Sequence, residues 1–175
     1  MTPGRRRALA IGVGAAAGLA GVAVAVRQRL SAADAQHAEA LWSMQFDLPA
    51  GNKLVMANLR GKPLIINFWA TWCAPCVREL PALQRFQREH AAQGWRVIAL
   101  AVDQPVPVLA FMHKLQLELT VAMAGIDGLE WQRLMGNSSG GLPFTVVLDA
   151  QGRVLERRLG ETHYNDLVRW AAAAR

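Results

Sequence analysis

One stretch constrains the fold of this chain more than any other, residues 64–81, which read LIINFWATWCAPCVRELP. It opens with a continuous apolar run, which is typical of a buried central strand. It continues with apolar residues at helical spacing, beginning at Val77 and Leu80. The only two cysteines, Cys73 and Cys76, fall at the junction, on the first turn of the predicted helix. The sequence therefore predicts a strand, a turn and a helix, with a C-x-x-C pair at the turn.

This position predicts a chemistry for the two cysteines. The first turn of a helix has unpaired N–H groups and the positive end of the helix dipole, and both favour a thiolate. Two thiols three residues apart can also close into a small disulfide ring and open again. A pair of inert core thiols is the alternative, but Trp72 and Pro75 in a turn argue for an exposed junction. The stretch thus indicates a redox switch.

Cysteine and histidine usage excludes several other classes of protein. Two cysteines cannot form a disulfide-rich scaffold, and one C-x-x-C lacks the four ligands of a structural zinc site. Val77 stands where a c-type haem attachment motif has histidine. The histidines occur singly, at His37, His90, His113 and His163. We therefore expect no metal site, and no cofactor other than the Cys73–Cys76 disulfide.

The N-terminal segment differs from the rest of the chain in charge. The formal net charge is +6, but residues 1–30 hold five arginines and no acid, which leaves 14 of the 19 basic residues against 13 acidic ones. The basic excess therefore belongs to the N-terminal segment and indicates a membrane rather than a nucleic-acid partner. We expect no nucleic-acid binding.

An uncharged apolar run from Ala8 to Val26 follows the first arginines. As a helix it would span about 28 Å, close to the thickness of a bilayer core. Positive charge before it predicts a cytoplasmic N-terminus and an exported domain, so residues 1–30 are interpreted as a signal anchor. A cleaved signal peptide, with Ala33-Asp34-Ala35 as the cleavage site, and a twin-arginine signal are the alternatives.

The remaining chain predicts one α/β domain over residues 44–175, after a linker at 31–43. Two short strands around Pro49 predict an N-terminal β-hairpin, and strands and helices then alternate before a final hairpin and helix. We expect a mixed central sheet flanked by helices, with Pro81 interrupting the helix after the cysteines. Asp127 is expected to cap a helix, and Asp103 is interpreted as a helix cap rather than a catalytic group.

Several motifs together resemble one known family. They are residues 67–73 (NFWATWC), Pro75-Cys76, Glu79-Leu80-Pro81, Leu142-Pro143, and Leu148-Asp149 with Gly152. In this order they resemble the thioredoxin fold, and more closely its TlpA/ResA-like branch of membrane-anchored, exported thiol–disulfide oxidoreductases. The resemblance runs from about Met44 to the C-terminus, and the N-terminal hairpin also fits that branch.

The resemblance implies roles for individual residues. Cys73 would be the exposed nucleophile and Cys76 the buried resolving thiol, with Pro75 inside their ring. Pro143 would be a cis-proline facing the disulfide, and Trp72 a surface that contacts partners. Glu79 matches an acidic residue that this branch places near the site, and its i,i+3 relation to Cys76 puts the two on neighbouring helix faces.

Two positions depart from the thioredoxin pattern. Asn67 stands where thioredoxin has a buried aspartate, so another group must move the proton of Cys76, and Glu79 is the candidate. Phe144 follows the proline where small polar residues are common. Together with Leu142 it is expected to line the substrate groove and narrow the choice of partner; a place in the core is the alternative.

The sequence thus predicts an exported thiol–disulfide oxidoreductase on the periplasmic side of the inner membrane, with a monomeric domain. Its expected substrates are disulfides of exported proteins, apocytochrome c among them, with a membrane electron donor to reduce it again. The alternative is a Cu(I) metallochaperone that binds the ion through Cys73 and Cys76, because thiolates suit Cu(I). The missing His or Met ligand beside the cysteines argues against that alternative, and no peroxidatic cysteine is present for a peroxidase.

Overall fold

The structure is a computed structural model that describes residues 39–125 and 127–174. Its strands are β1 (Gln45–Asp47), β2 (Lys53–Val55), β3 (Leu64–Trp69), β4 (Arg96–Ala101), β5 (Thr120–Met123), β6 (Phe144–Leu148) and β7 (Val154–Leu159). Its helices are α1 (Ala74–His90), α2 (Pro105–Leu115), α3 (Gly128–Leu134) and α4 (Tyr164–Ala173). The strands form one sheet in the order β2-β1-β5-β4-β3-β6-β7.

Strand β3 lies inside this sheet and determines where the cysteines are. All six of its residues are buried, as the continuous apolar run predicts. It pairs in parallel with β4 and antiparallel with β6, so the sheet is mixed. The expected mixed α/β architecture is confirmed, and the end of β3 leads directly into the turn before α1.

The two faces of the sheet bury two separate apolar cores, because successive strand residues point to opposite sides. On one face, Ile65 and Trp69 of β3 pack with apolar residues of α1, α2 and α4. On the other face, Ile66 and Phe68 pack with residues of β1 and with Met135 at the end of α3. Helices therefore flank both faces of the sheet.

The N-terminal hairpin is present as predicted, with Phe46 of β1 opposite Leu54 of β2. The packed domain starts before Met44, however, because Leu41 and Trp42 are buried against the second core. The C-terminal part of the expected linker at 31–43 is thus part of the fold. Within residues 39–125 and 127–174, no helix is both long and apolar enough to cross a membrane. The predicted anchor at residues 8–26 lies outside this range.

One local prediction is wrong, and another is confirmed in position only. Pro81 does not interrupt the helix, since α1 runs unbroken from Ala74 to His90. Pro81 is exposed, whereas Leu80, Leu83 and Phe86 are fully buried, so packing on both sides of the proline holds the helix together. Asp127 takes the N-cap position of α3, but its side chain makes no capping hydrogen bond.

The turn between β6 and β7 generates a stability prediction. Asp149 is buried, and its carboxylate accepts hydrogen bonds from the N–H groups of Gln151 and Arg153 at 2.9 Å. Asp149→Ala removes both hydrogen bonds and an ion pair with Arg153 Nε at 2.7 Å, and should lower the free energy of unfolding by about 1–3 kcal/mol in chemical denaturation. Asp47→Ala, which removes only an exposed ion pair with Lys53, is the control and should cost about 0–1 kcal/mol. Equal losses in the two variants would contradict this account of the turn.

Candidate active site

The two cysteines lie where β3 gives way to α1, and they form a disulfide with an S–S distance of 2.05 Å. Cys73 is the N-cap residue of α1, one position before the first turn in which the sequence placed it. Its Sγ accepts a hydrogen bond from the N–H of Cys76 at 3.3 Å. Cys73 keeps 6% of its surface exposed, whereas Cys76 keeps none. Cys73 is therefore more buried than the exposed position that the resemblance implied, but of the two cysteines it is the one with any surface left.

The loop before Cys73 is held by a carboxylate from the neighbouring strand. Asp103, just after β4, accepts hydrogen bonds from the N–H of Thr71 at 2.9 Å and from its hydroxyl at 2.6 Å. Burial opposes ionisation of Asp103, but hydrogen bonds from Thr71 and Gln104 outweigh it and hold the pKa of the carboxyl below its usual value. Asp103 is therefore not a helix cap, since Gln104 takes that position of α2. It joins the loops after β3 and β4.

Between this clamped loop and Cys73, Trp72 projects into solvent. Its side chain is 71% exposed, the largest aromatic surface next to the disulfide. A cleft of about 700 Å³ lies beside it, between the turn of the β1–β2 hairpin, the loop after β5 and the start of α2. The cleft walls include Leu48, Pro49, Pro105 and Leu129. A mixed surface thus extends from Trp72 over the ends of β4, β5 and β1, because Asp47, Asp103 and Gln104 also line the cleft.

Glu79 follows Cys76 by three residues on α1 and has only 1% of its surface exposed. Its Oε1 accepts a hydrogen bond from Asn67 Nδ2 at 2.7 Å, and its Oε2 accepts one from the N–H of Thr162 at 2.7 Å. Burial is the main cause that raises the pKa of Glu79 to about 7, although these two hydrogen bonds oppose it; the negative charge of Glu161 raises it further. The carboxyl can therefore gain or lose a proton near neutral pH.

Asn67 belongs to a buried polar network that the sequence did not reveal. Its Nδ2 also donates to the hydroxyl of Thr145 at 3.0 Å, and the hydroxyls of Thr145 and Thr162 are 3.2 Å apart. All three side chains are completely buried. A threonine inside the otherwise apolar strand β6 was the available signal, because Asn67 and Thr145 face each other in the β3–β6 register. Nothing local pointed to Thr162.

The segment before β6 contains a cis peptide bond between Leu142 and Pro143, the isomer that the resemblance implied. Leu142 is half-buried, and Pro143 is buried. Phe144 does not line a groove, because it is 2% exposed and its ring packs 6.0 Å from that of Phe68 in the second core. Successive residues of β6 point to opposite faces of the sheet, and Phe144 lies on the face that packs in the second core. Of the expected groove pair, only Leu142 is near the surface.

The position of Pro75 agrees with its expected place inside the disulfide ring, in the first turn of α1. In the described part of the chain, no cluster of three or more His, Cys, Asp or Glu side chains is arranged to hold a metal ion. Cu(I) binding by the reduced cysteines therefore stays a prediction, which metal titration of the reduced chain would test.

Comparison with known proteins identifies the family. The Redoxin family model matches residues 38–169. A thiol-disulfide oxidoreductase ResA of Bacillus thuringiensis (strain Al Hakam) is 34% identical over 113 residues, which are 63% of this chain and 62% of the relative. The ResA of Geobacillus kaustophilus is 30% identical over 120 residues, 68% of this chain and 67% of the relative. The chain thus spans a little under two thirds of the Bacillus relative.

A solved structure supports the fold assignment. A thiol:disulfide interchange protein of the thioredoxin family from Chlorobium tepidum superposes with a TM-score of 0.66 at 30% identity. The match covers 75% of this chain and 92% of the other. The thioredoxin-like fold is confirmed, and the chain belongs to the Redoxin family, among its TlpA/ResA-like members.

Proposed function

We propose that this chain is a thiol–disulfide oxidoreductase whose reacting groups are Cys73 and Cys76. The observation that carries the proposal is the asymmetric pair itself. Cys73, at the start of a helix, keeps 6% of its surface exposed, and its partner Cys76 is completely buried one turn away. A purely structural disulfide needs no accessible sulfur, whereas exchange needs one that a substrate can reach.

The exchange has two steps in the direction that reduces a substrate. The Cys73 thiolate attacks one sulfur of the substrate disulfide, forms a mixed disulfide, and releases the other sulfur as a thiolate that takes up a proton. Cys76 then loses its proton and attacks Sγ of Cys73. The Cys73–Cys76 disulfide forms, and the second substrate sulfur leaves as a thiol after protonation. Two electrons pass from the dithiol to the substrate.

Glu79 is the group suited to take the proton of Cys76. It is buried one helical turn after Cys76, which is buried as well. A base works best when its pKa lies near the working pH, and burial raises the pKa of Glu79 to about 7. Asn67 cannot take this role itself, because an amide does not ionise.

Disulfides of exported proteins are the proposed substrates, apocytochrome c among them, and a membrane electron donor would reduce the pair again. The support is the charge pattern of residues 1–30, which is typical of an anchor that exports the following domain to the periplasmic side. The related proteins named thiol-disulfide oxidoreductase support the reaction class. Recovery of the chain in the cytosolic fraction of its host would contradict this location.

The two cysteines give opposite predictions for single substitutions. Cys73→Ser removes the attacking sulfur, so reduction of a disulfide substrate should fall to the uncatalysed rate. Cys76→Ser leaves the first step intact and blocks the second, so mixed disulfides should accumulate on Cys73. Mass spectrometry of the reduced variants after reaction with a disulfide-bonded peptide measures both the reduction of the peptide and the mixed disulfide on Cys73. Full turnover by the Cys73→Ser variant would overturn the proposal.

The raised pKa of Glu79 predicts how stability depends on pH. The folded state holds the proton up to about pH 7, whereas the unfolded state releases it near 4.5. The contribution of Glu79 is therefore fully present below about pH 4.5 and is lost as the pH rises through about 7. The difference corresponds to about 3 kcal/mol.

Glu79→Gln keeps a neutral side chain at every pH and should remove this part of the pH dependence of stability. Denaturation of the wild-type and Glu79→Gln chains at several pH values between 4 and 8 measures that dependence. The exposed Glu118→Gln is the matched control and should keep the wild-type slope. An unchanged slope in Glu79→Gln would show that the carboxyl titrates as it does in the unfolded chain.

A further inference from the structure

The side-chain amide of Asn67 is satisfied at one end only. Its nitrogen donates both hydrogens, one to Glu79 Oε1 at 2.7 Å and one to Thr145 Oγ1 at 3.0 Å. Its oxygen, Oδ1, is buried without a hydrogen-bond partner. A buried acceptor without a donor costs about 1–3 kcal/mol. A cost of this size in a buried site indicates that the amide has a functional reason to be there.

The present arrangement matches Glu79 only in its ionised form. A carboxylate accepts hydrogen bonds on both oxygens, and here Oε1 faces Asn67 while Oε2 faces the N–H of Thr162. The N–H of Thr162 can only donate, so an added proton belongs on Oε1. A hydroxyl at Oε1 then has no acceptor on Asn67, because Nδ2 already directs a hydrogen at Oε1.

Half a turn of the amide removes this conflict, because its oxygen and nitrogen ends have nearly the same shape. After rotation, Oδ1 can accept the hydrogen of protonated Glu79 and also the hydroxyl hydrogen of Thr145. Thr145 must then receive a hydrogen from Thr162. The two hydroxyls lie 3.2 Å apart, and either can be the donor. The hydrogen bonds among these residues can thus reverse their direction without moving a heavy atom of the backbone, and Nδ2 then takes the position in which Oδ1 now has no partner.

We propose that the Asn67 amide rotates by half a turn each time Glu79 gains or loses its proton, and that Thr145 and Thr162 reverse their hydroxyls with it. Asn67 is in this sense a positioning residue, and the inference rests on the proposed role of Glu79 in exchange. The amide donates one hydrogen to the carboxylate form and one to Thr145, and after rotation its oxygen accepts one hydrogen from the acid form and one from Thr145. Neither form of Glu79 is trapped, so the proton taken from Cys76 can leave again.

The other groups around Glu79 do not replace this function. Glu161, in the loop before α4, is the nearby acid, and it is paired with Arg78 of α1 at 2.6 Å. On its own helix Glu79 has Cys76, which holds no proton while it is in the disulfide. From β3 and β6, only the uncharged Asn67 and Thr145 hydrogen-bond within the network. A titration of this network in the oxidised chain therefore reports Glu79.

Nuclear magnetic resonance of the oxidised, full-length chain tests the proposal without any turnover. The signals to follow are 13Cδ of Glu79 and the side-chain 13Cγ and 15Nδ2 of Asn67, between pH 4.5 and 9. We expect the two residues to titrate with one common midpoint. In Glu79→Gln, which holds one protonation-independent arrangement, the Asn67 signals should not change with pH. Asn67 signals that stay constant while Glu79 titrates, or that still titrate in Glu79→Gln, would overturn the proposal.

The variant Asn67→Leu gives an independent readout. Leucine fills a similar volume but can neither donate to the carboxylate nor accept from the acid, so its effect shows whether the amide serves one form of Glu79 or both. A rotating amide predicts that the midpoint of Glu79 changes little, whereas an amide fixed as a donor predicts proton binding about tenfold tighter, a shift of about one pH unit. A shift of that size in Asn67→Leu would overturn the rotation. Exchange by Cys73 in the wild-type chain would still stand, so failure of this inference is distinguishable from failure of the proposed function.

Discussion

The pairing of β3 with a strand on each side is the constraint on which the site depends. Its parallel register with β4 brings Asp103 beside the loop that carries Thr71. Its antiparallel register with β6 brings Thr145 opposite Asn67. A register slip of one residue would turn Asn67 to the second core and separate it from Glu79. Continuous burial of β3 on both faces makes such a slip costly.

Strand β3 carries two kinds of residue that need different surroundings. Ile65 and Trp69 need an apolar surrounding, and Asn67, between them on the same face, needs hydrogen-bond partners. The network of Asn67, Thr145 and Thr162 meets that need around Glu79 and shields the carboxyl from water. Shielding raises the pKa of Glu79, which costs folding stability near neutral pH. Burial thus lowers stability near neutral pH and leaves a carboxyl that can take up a proton there, as the proposed mechanism requires.

Sequence reasoning was most successful where the signal is local. The apolar run of β3, the helical spacing of α1 and the C-x-x-C at their junction follow from strand and helix periodicity. The inward position of Phe144 depends on its register opposite Phe68, which one strand alone does not reveal. The hydrogen bond from Thr162 to Glu79 joins residues 83 positions apart, beyond any local pattern. Pro81 was misjudged because burial of Leu80 and Leu83 outweighs the propensity of a single proline.

In the proposed mechanism, Glu79 accepts the proton when Cys76 resolves a mixed disulfide on Cys73. The most direct test is the single-turnover rate at which a small thiol is released from a preformed mixed disulfide at Cys73, measured against pH. We expect a rate that rises with a midpoint near 7 in the wild-type chain. In Glu79→Gln we expect a rate roughly 100-fold lower at that pH. Equal rates for the two chains across the pH range would contradict this mechanism.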